Sequence, residues 1–183
     1  MEKVFIFLTT GFEEIEALAT IDILRRGGVN IQSVSLTGDR TVTGGRKITV
    51  IADCLFEEVD FAAALMLILP GGPGTVKMNE HERLKQEILV FARQGKLLAA
   101  ICAAPMVFGG LELLQNKKTT CYPGYEKYLT GAHVIGTPVA VDGNITTGKA
   151  AGYTFDFALE LLSQLKGKKV AVEVKQNILP VVH

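Results

Sequence analysis

The chain has 183 residues, 48% of them hydrophobic and 21% charged, which suits one packed domain and not a disordered segment. Nineteen basic residues balance nineteen acidic ones, so there is no basic stripe and nucleic acid is not an expected partner. Three widely spaced cysteines argue against a disulfide framework or zinc site, and no apolar run reaches the roughly 18 residues of a membrane span; a cytoplasmic protein with neither metal nor membrane is expected.

In chain order, the apolar run Val4 to Thr9 predicts a buried first strand, broken by Gly11. Glu13 to Arg26 predicts a helix, with acids in the first turn and arginines in the last, as the helix dipole prefers. Val29 to Leu36 reads as the next strand. Thr41 to Ala52 is β-rich around Gly44–Gly45 and predicts a hairpin or bulge at the sheet edge. Ala64 to Leu69 is a fully apolar strand that ends in Pro70-Gly71-Gly72-Pro73-Gly74. Glu80 to Gln94 predicts an amphipathic helix with Leu84, Ile88 and Phe91 on one side. Leu97 to Ile101 is another buried strand, and Pro105 to Gln115 its helix. Val139 to Thr147 predicts a hairpin turning at Asp142-Gly143, and Phe155 to Leu165 and Val170 to Ile178 two closing helices. Strands alternating with helices imply a mostly parallel sheet sandwiched by helices, whose ligands bind beyond the carboxyl ends of the strands. The loops Thr10–Phe12 and Gly71–Gly74, with Cys102, fall at that end.

Cys102 sits where a buried strand stops and a helix starts. That is the layout of a nucleophile elbow, whose tight turn needs small residues two before and two after; here they are Ala100 and Ala104. A helix N-terminus also favours thiolate over thiol. On this pattern alone Cys102 reads equally well as a nucleophile and as a small buried hydrophobe. Cys54 and Cys121 carry no local signature.

At about 100° per residue, Phe12, Ile15, Ala19 and Ile23 share one stripe of the first helix. Glu16 falls in the middle of it, while Glu13 and Glu14 point elsewhere. A carboxylate facing inward needs a partner or a proton. Arg26 lies on the same stripe and reads as a carboxylate or phosphate binder, or as a helix-end cation. Gly71 and Gly72 let backbone N–H groups face a cleft, as an oxyanion hole requires; the stretch lacks the spacing of a phosphate loop, so nucleotide binding is rejected. His81, His133 and His183 have no metal-site spacing, and none adjoins the elbow in sequence.

Taken together, GFEEIEALATIDILRRGG, LILPGGPGT, AAICAAP, TTGKAAGYTFDFALEL and KKVAVEVKQNIL, in this order and over essentially the whole chain, resemble the PfpI/ThiJ superfamily, in its branch containing the Parkinsonism-associated deglycase. The resemblance implies one domain over residues 1–183 with a flavodoxin-like, class I glutamine amidotransferase-like sheet, usually as a homodimer. It implies Cys102 as the nucleophile, Glu16 as the acid touching its sulfur, and the N–H groups of Gly72 and Ala103 as oxyanion donors. It implies no cofactor. Members act as glyoxalases or deglycases on small carbonyls and glycated groups, as redox-sensing chaperones, or as peptidases, and some are labelled thiazole (thiamine) biosynthesis proteins. The chain departs from the family twice. Ala103 stands where the peptidase branch has a histidine, which weakens the protease reading. Tyr122 replaces the histidine of a TTHP-like segment, where a phenol does not titrate near neutral pH. A cysteine enzyme acting on small reactive carbonyls is therefore expected, with Gly71, Arg26 and Tyr122 as substrate contacts; the alternative is an oxidisable sensor or chaperone without turnover.

Overall fold

The computed structural model of the protein describes residues 3–179. Its elements are β1 (Lys3–Leu8), α1 (Glu14–Arg26), β2 (Ile31–Ser35), β3 (Thr41–Thr43), β4 (Thr49–Ile51), β5 (Cys54–Leu55), β6 (Ala64–Leu69), α2 (Thr75–Asn79), α3 (Glu82–Arg93), β7 (Leu97–Ile101), α4 (Pro105–Gly110), β8 (Lys118–Thr119), β9 (His133–Val134), β10 (Val139–Asp142), β11 (Ile145–Gly148), α5 (Thr154–Lys166) and α6 (Lys168–Ile178). The central sheet has the order β10-β11-β7-β6-β1-β2-β5. All of its neighbours run parallel except the β10–β11 hairpin.

Strands that are apolar at every position fit here because both faces of the sheet are covered. Val4, Ile6 and Leu8 of β1, Met66 and Ile68 of β6, and Ala99 and Ile101 of β7 face one core, closed by α1, α5 and α6. Phe5, Phe7, Leu67, Leu69, Leu98 and Ala100 face the other, closed by α3 and α4 through Leu84, Ile88, Phe91, Val107 and Phe108. The expected mostly parallel sandwich is therefore the observed one.

Several expected boundaries move. The Thr41 to Ala52 stretch is a hairpin, but β3 and β4 form a separate two-stranded sheet; the edge of the main sheet is the two-residue β5. The Glu80 to Gln94 helix starts at Glu82, with His81 Nδ1 accepting from the Leu84 N–H as N-cap, and the short α2 precedes it. The elbow helix stops at Gly110 and continues as turns. In the β10–β11 hairpin Asp142 pairs with Ile145, so the loop is Gly143–Asn144, one residue later than expected; Gly143 takes φ +62° at its first position.

Candidate active site

Cys102 follows the last residue of β7 and has φ +65°, in the left-handed region that L-residues rarely occupy. Ala100 and Ala104 are fully buried on either side of it, which leaves room for the turn. Its N–H donates to Gly148 O at 2.9 Å, tying the end of β7 to the end of β11. Its carbonyl accepts the Tyr122 N–H at 2.8 Å. The side chain is half-buried, and the Gly72 and Ala103 N–H groups lie near enough to Sγ to favour its charged form.

The Gly71–Gly74 loop makes this approach possible. A Cβ on Gly71 would lie 2.7 Å from Cys102 Cβ, 2.9 Å from Glu16 Oε2 and 3.0 Å from Ala103 N. Gly72 has φ +98°, and a Cβ there would lie 2.5 Å from Glu13 N. Gly71 O accepts from Glu13 N at 2.9 Å, and Gly74 N donates to Gly11 O at 2.9 Å, so the loops after β1 and β6 are stitched together beside the cysteine.

Glu16 is fully buried beside Cys102, close enough for each to shift the other's titration. Its Oε2 accepts the Gly71 N–H at 2.7 Å, while Oε1 is buried without a hydrogen-bond partner. Burial pushes its pKa up to about 7; the Gly71 N–H and Cys102 pull it down less than burial raises it, and the nearby Glu13 charge adds a smaller push. The Cys102 thiol is also raised, first by burial and then by the Glu16 charge and hydrogen bond, against the downward pull of the Ala103 and Gly72 N–H groups. The thiol is thus held up and not lowered, contrary to the expectation from the elbow alone. The two groups titrate as a coupled pair in which Glu16 loses its proton before the thiol does.

The structure thus brings Cys102, Glu16, Gly71, Gly72, Ala103 and the backbone of Tyr122 together. It does not bring Arg26, which is half-exposed and bonded through Nε to Asp22 Oδ2 at 2.6 Å. Ten residues of helix, about 15 Å, separate Arg26 from Glu16. Two features of the helical stripe also differ from expectation. Ile15 is 54% exposed, and Glu14 is buried. Glu14 Oε1 accepts from Arg46 N at 2.6 Å and Ile48 N at 3.3 Å, which clamps the turn of the β3–β4 hairpin over the start of α1. Gly44 is required there, since a Cβ would collide with the Glu14 carboxyl. Arg46, 3.8 Å from Glu13, completes this wall; nothing in its local sequence announces it.

A mostly parallel sheet with a cysteine at positive φ on a strand–helix turn, an inward glutamic acid and two N–H donors on the sulfur defines an α/β protein of the class I glutamine amidotransferase-like kind, with a nucleophile elbow. Within that class the chain belongs to the DJ-1/PfpI family, whose sequence profile matches residues 2–164. Protein DJ-1 homolog B of Arabidopsis thaliana is 37% identical over 176 residues, which are 94% of this chain and 40% of that protein. This chain therefore spans less than half of that relative's length. Protein dj-1beta of Drosophila melanogaster is 30% identical over 97% of both chains, and its crystal structure superposes with a TM-score of 0.92 over 99% of both. A glutathione-independent glyoxalase of Caenorhabditis elegans is 28% identical over 156 residues, 85% of this chain and 83% of its own.

Proposed function

We propose that the protein is a cofactor-free enzyme that uses Cys102 to convert small reactive carbonyls, two-oxoaldehydes or the groups they have modified, into hydroxy acids. The observation that carries this reading is the buried Glu16 beside Cys102, raised to a near-neutral pKa by burial. The name of the C. elegans relative supports the reaction class.

Glu16, raised only to about 7, ionises before the more strongly raised thiol, so the shared proton rests on sulfur and Glu16 accepts it as sulfur attacks. The thiolate attacks the aldehyde carbon and forms a C–S bond, and the carbonyl oxygen takes the Glu16 proton to give a hemithioacetal. The ionised Glu16 then removes the hydrogen from that carbon as a proton and returns it to the adjacent one, while the hydroxyl proton passes to the neighbouring oxygen, leaving a thioester of the two-hydroxy acid. Water cleaves the thioester and regenerates the thiol, so the net change is addition of one water to the two-oxoaldehyde. The Gly72 and Ala103 N–H groups stabilise oxyanions during attack and hydrolysis.

The test is lactate formation from methylglyoxal without glutathione. Activity is expected in the wild type and a loss of at least about 100-fold in Cys102→Ser and Glu16→Gln; equal lactate from Cys102→Ser sinks the reading. A sensor role is the second reading, favoured because two N–H groups at sulfur would equally stabilise an oxidised sulfur anion. A cytoplasmic homodimer is also proposed. The outer face of α1 and the clamped hairpin expose Ile15, Leu18, Ile48 and Ile51, the last at 78%. Light scattering should give twice the chain mass, and Ile51→Asp should shift it towards monomer; a wild-type monomer at micromolar concentration refutes this.

A further inference from the structure

Beside the elbow lies a row of three tyrosines that the reaction above does not use. Tyr122, Tyr125 and Tyr128 recur every three residues. Tyr125 N donates to Tyr122 O at 3.0 Å and Tyr128 N to Tyr125 O at 3.0 Å, a 3₁₀-like spacing in which side chains three apart line up. The ring centroids are 6.3 Å apart for Tyr122 and Tyr125, edge to face, and 5.7 Å apart for Tyr125 and Tyr128. Tyr125 packs against the core on the α4 side of the sheet, whereas Tyr122 and Tyr128 are 46% and 41% exposed.

The row is fixed to the elbow at both ends. The Tyr122 N–H to Cys102 carbonyl bond at 2.8 Å seats the first tyrosine beside the cysteine. At the far end the Tyr128 carbonyl lies so close to Gly109 of α4 that any side chain on Gly109 would collide with it. The rings are therefore ordered before a ligand arrives, and an aromatic ring held in place loses little entropy on binding.

We propose that Tyr122, backed by Tyr125 and Tyr128, forms an aromatic subsite continuous with Cys102 that selects carbonyl substrates bearing a planar aromatic group. This deepens the proposed function and rests on it for turnover, but not for binding. Aryl two-oxoaldehydes fit the chemistry: the aldehyde carbon reaches sulfur while the aryl group lies against the exposed ring of Tyr122, in the offset or edge-to-face contact that aromatic pairs prefer.

Two probe pairs test it. Phenylglyoxal and methylglyoxal report turnover as a ratio of kcat/KM. Phenacyl bromide and bromoacetone report binding without turnover: each alkylates Cys102 with loss of bromide, and the ratio of their rates is divided by the same ratio on a small free thiol. The normalised alkylation ratio is expected to favour the aryl reagent by about five- to tenfold, the worth of one aromatic contact. It should fall to about one in Tyr122→Ala and Tyr122→Leu, and persist in Tyr122→Phe. A normalised ratio of about one in the wild type, or a ratio unmoved in both Tyr122→Ala and Tyr122→Leu, overturns the subsite. If the aryl preference in alkylation depends on Tyr122 but neither oxoaldehyde yields a hydroxy acid, the turnover reading fails and the subsite stands.

Discussion

Glu16→Gln keeps the size of the buried side chain and an acceptor for the Gly71 N–H, and it deletes only the titration. The wild-type carboxyl is raised from 4.5 to about 7 in the folded protein. A raised acid contributes stability that is fully present below the unfolded value and lost as pH climbs through the folded one, because the unfolded chain releases its proton first. The slope between those values is about −1.4 kcal/mol per pH unit. A displacement from 4.5 to about 7 therefore removes about 3 kcal/mol of wild-type stability across the window. The amide has no such slope. Urea unfolding of both proteins at one fixed concentration, at steps from about pH 4.5 to about pH 8, should show the difference moving by about 3 kcal/mol in favour of Glu16→Gln. A difference that stays level within about 0.5 kcal/mol across this range would refute the claim that Glu16 is held protonated by burial.

Glu16→Leu should lower the Cys102 pKa, because the Glu16 charge and hydrogen bond hold the thiol up; a rise on titration by alkylation rate would place the shared proton on Glu16 instead. Gly71→Ala should cost about 1–3 kcal/mol and slow Cys102 alkylation, since its Cβ would enter the contact between Cys102 and Glu16; wild-type alkylation kinetics would contradict the close approach. Glu14→Ala leaves the Arg46 and Ile48 N–H groups without their acceptor and should destabilise by about 2–3 kcal/mol, with faster protease cleavage within residues 41–51; unchanged cleavage there would show that Glu14 is not the clamp.

The parts of the site that follow from local chain chemistry were legible. A strand apolar on both faces, a cysteine and small neighbours at Ala100 and Ala104 describe the elbow without reference to anything distant. Glu16 was found because its own helix carries the signal. The same wheel misplaced Ile15 and Glu14, because a wheel shows spacing and not what covers each side. Glu14 is buried only because the backbone of a hairpin some thirty residues away supplies its N–H donors. Arg26 shares a stripe with Glu16 but lies three turns further along, and angle alone does not record distance. The separate β3–β4 sheet and the two-residue β5 are held by register and loop contacts, too short to leave a periodic pattern. Tyr122 stood out as a replaced histidine, but its row with Tyr125 and Tyr128 depends on turn geometry that spacing by three does not dictate.

The three residues that open the first helix turn through about 100° at each step, and each step meets a different neighbour. Glu14 holds the hairpin backbone, Ile15 faces outward at 54% exposure, and Glu16 meets the sulfur. They are neighbours on one rigid backbone, so none can be reoriented alone. A single peptide unit thus separates the exposed face of α1 from the buried carboxyl beside Cys102.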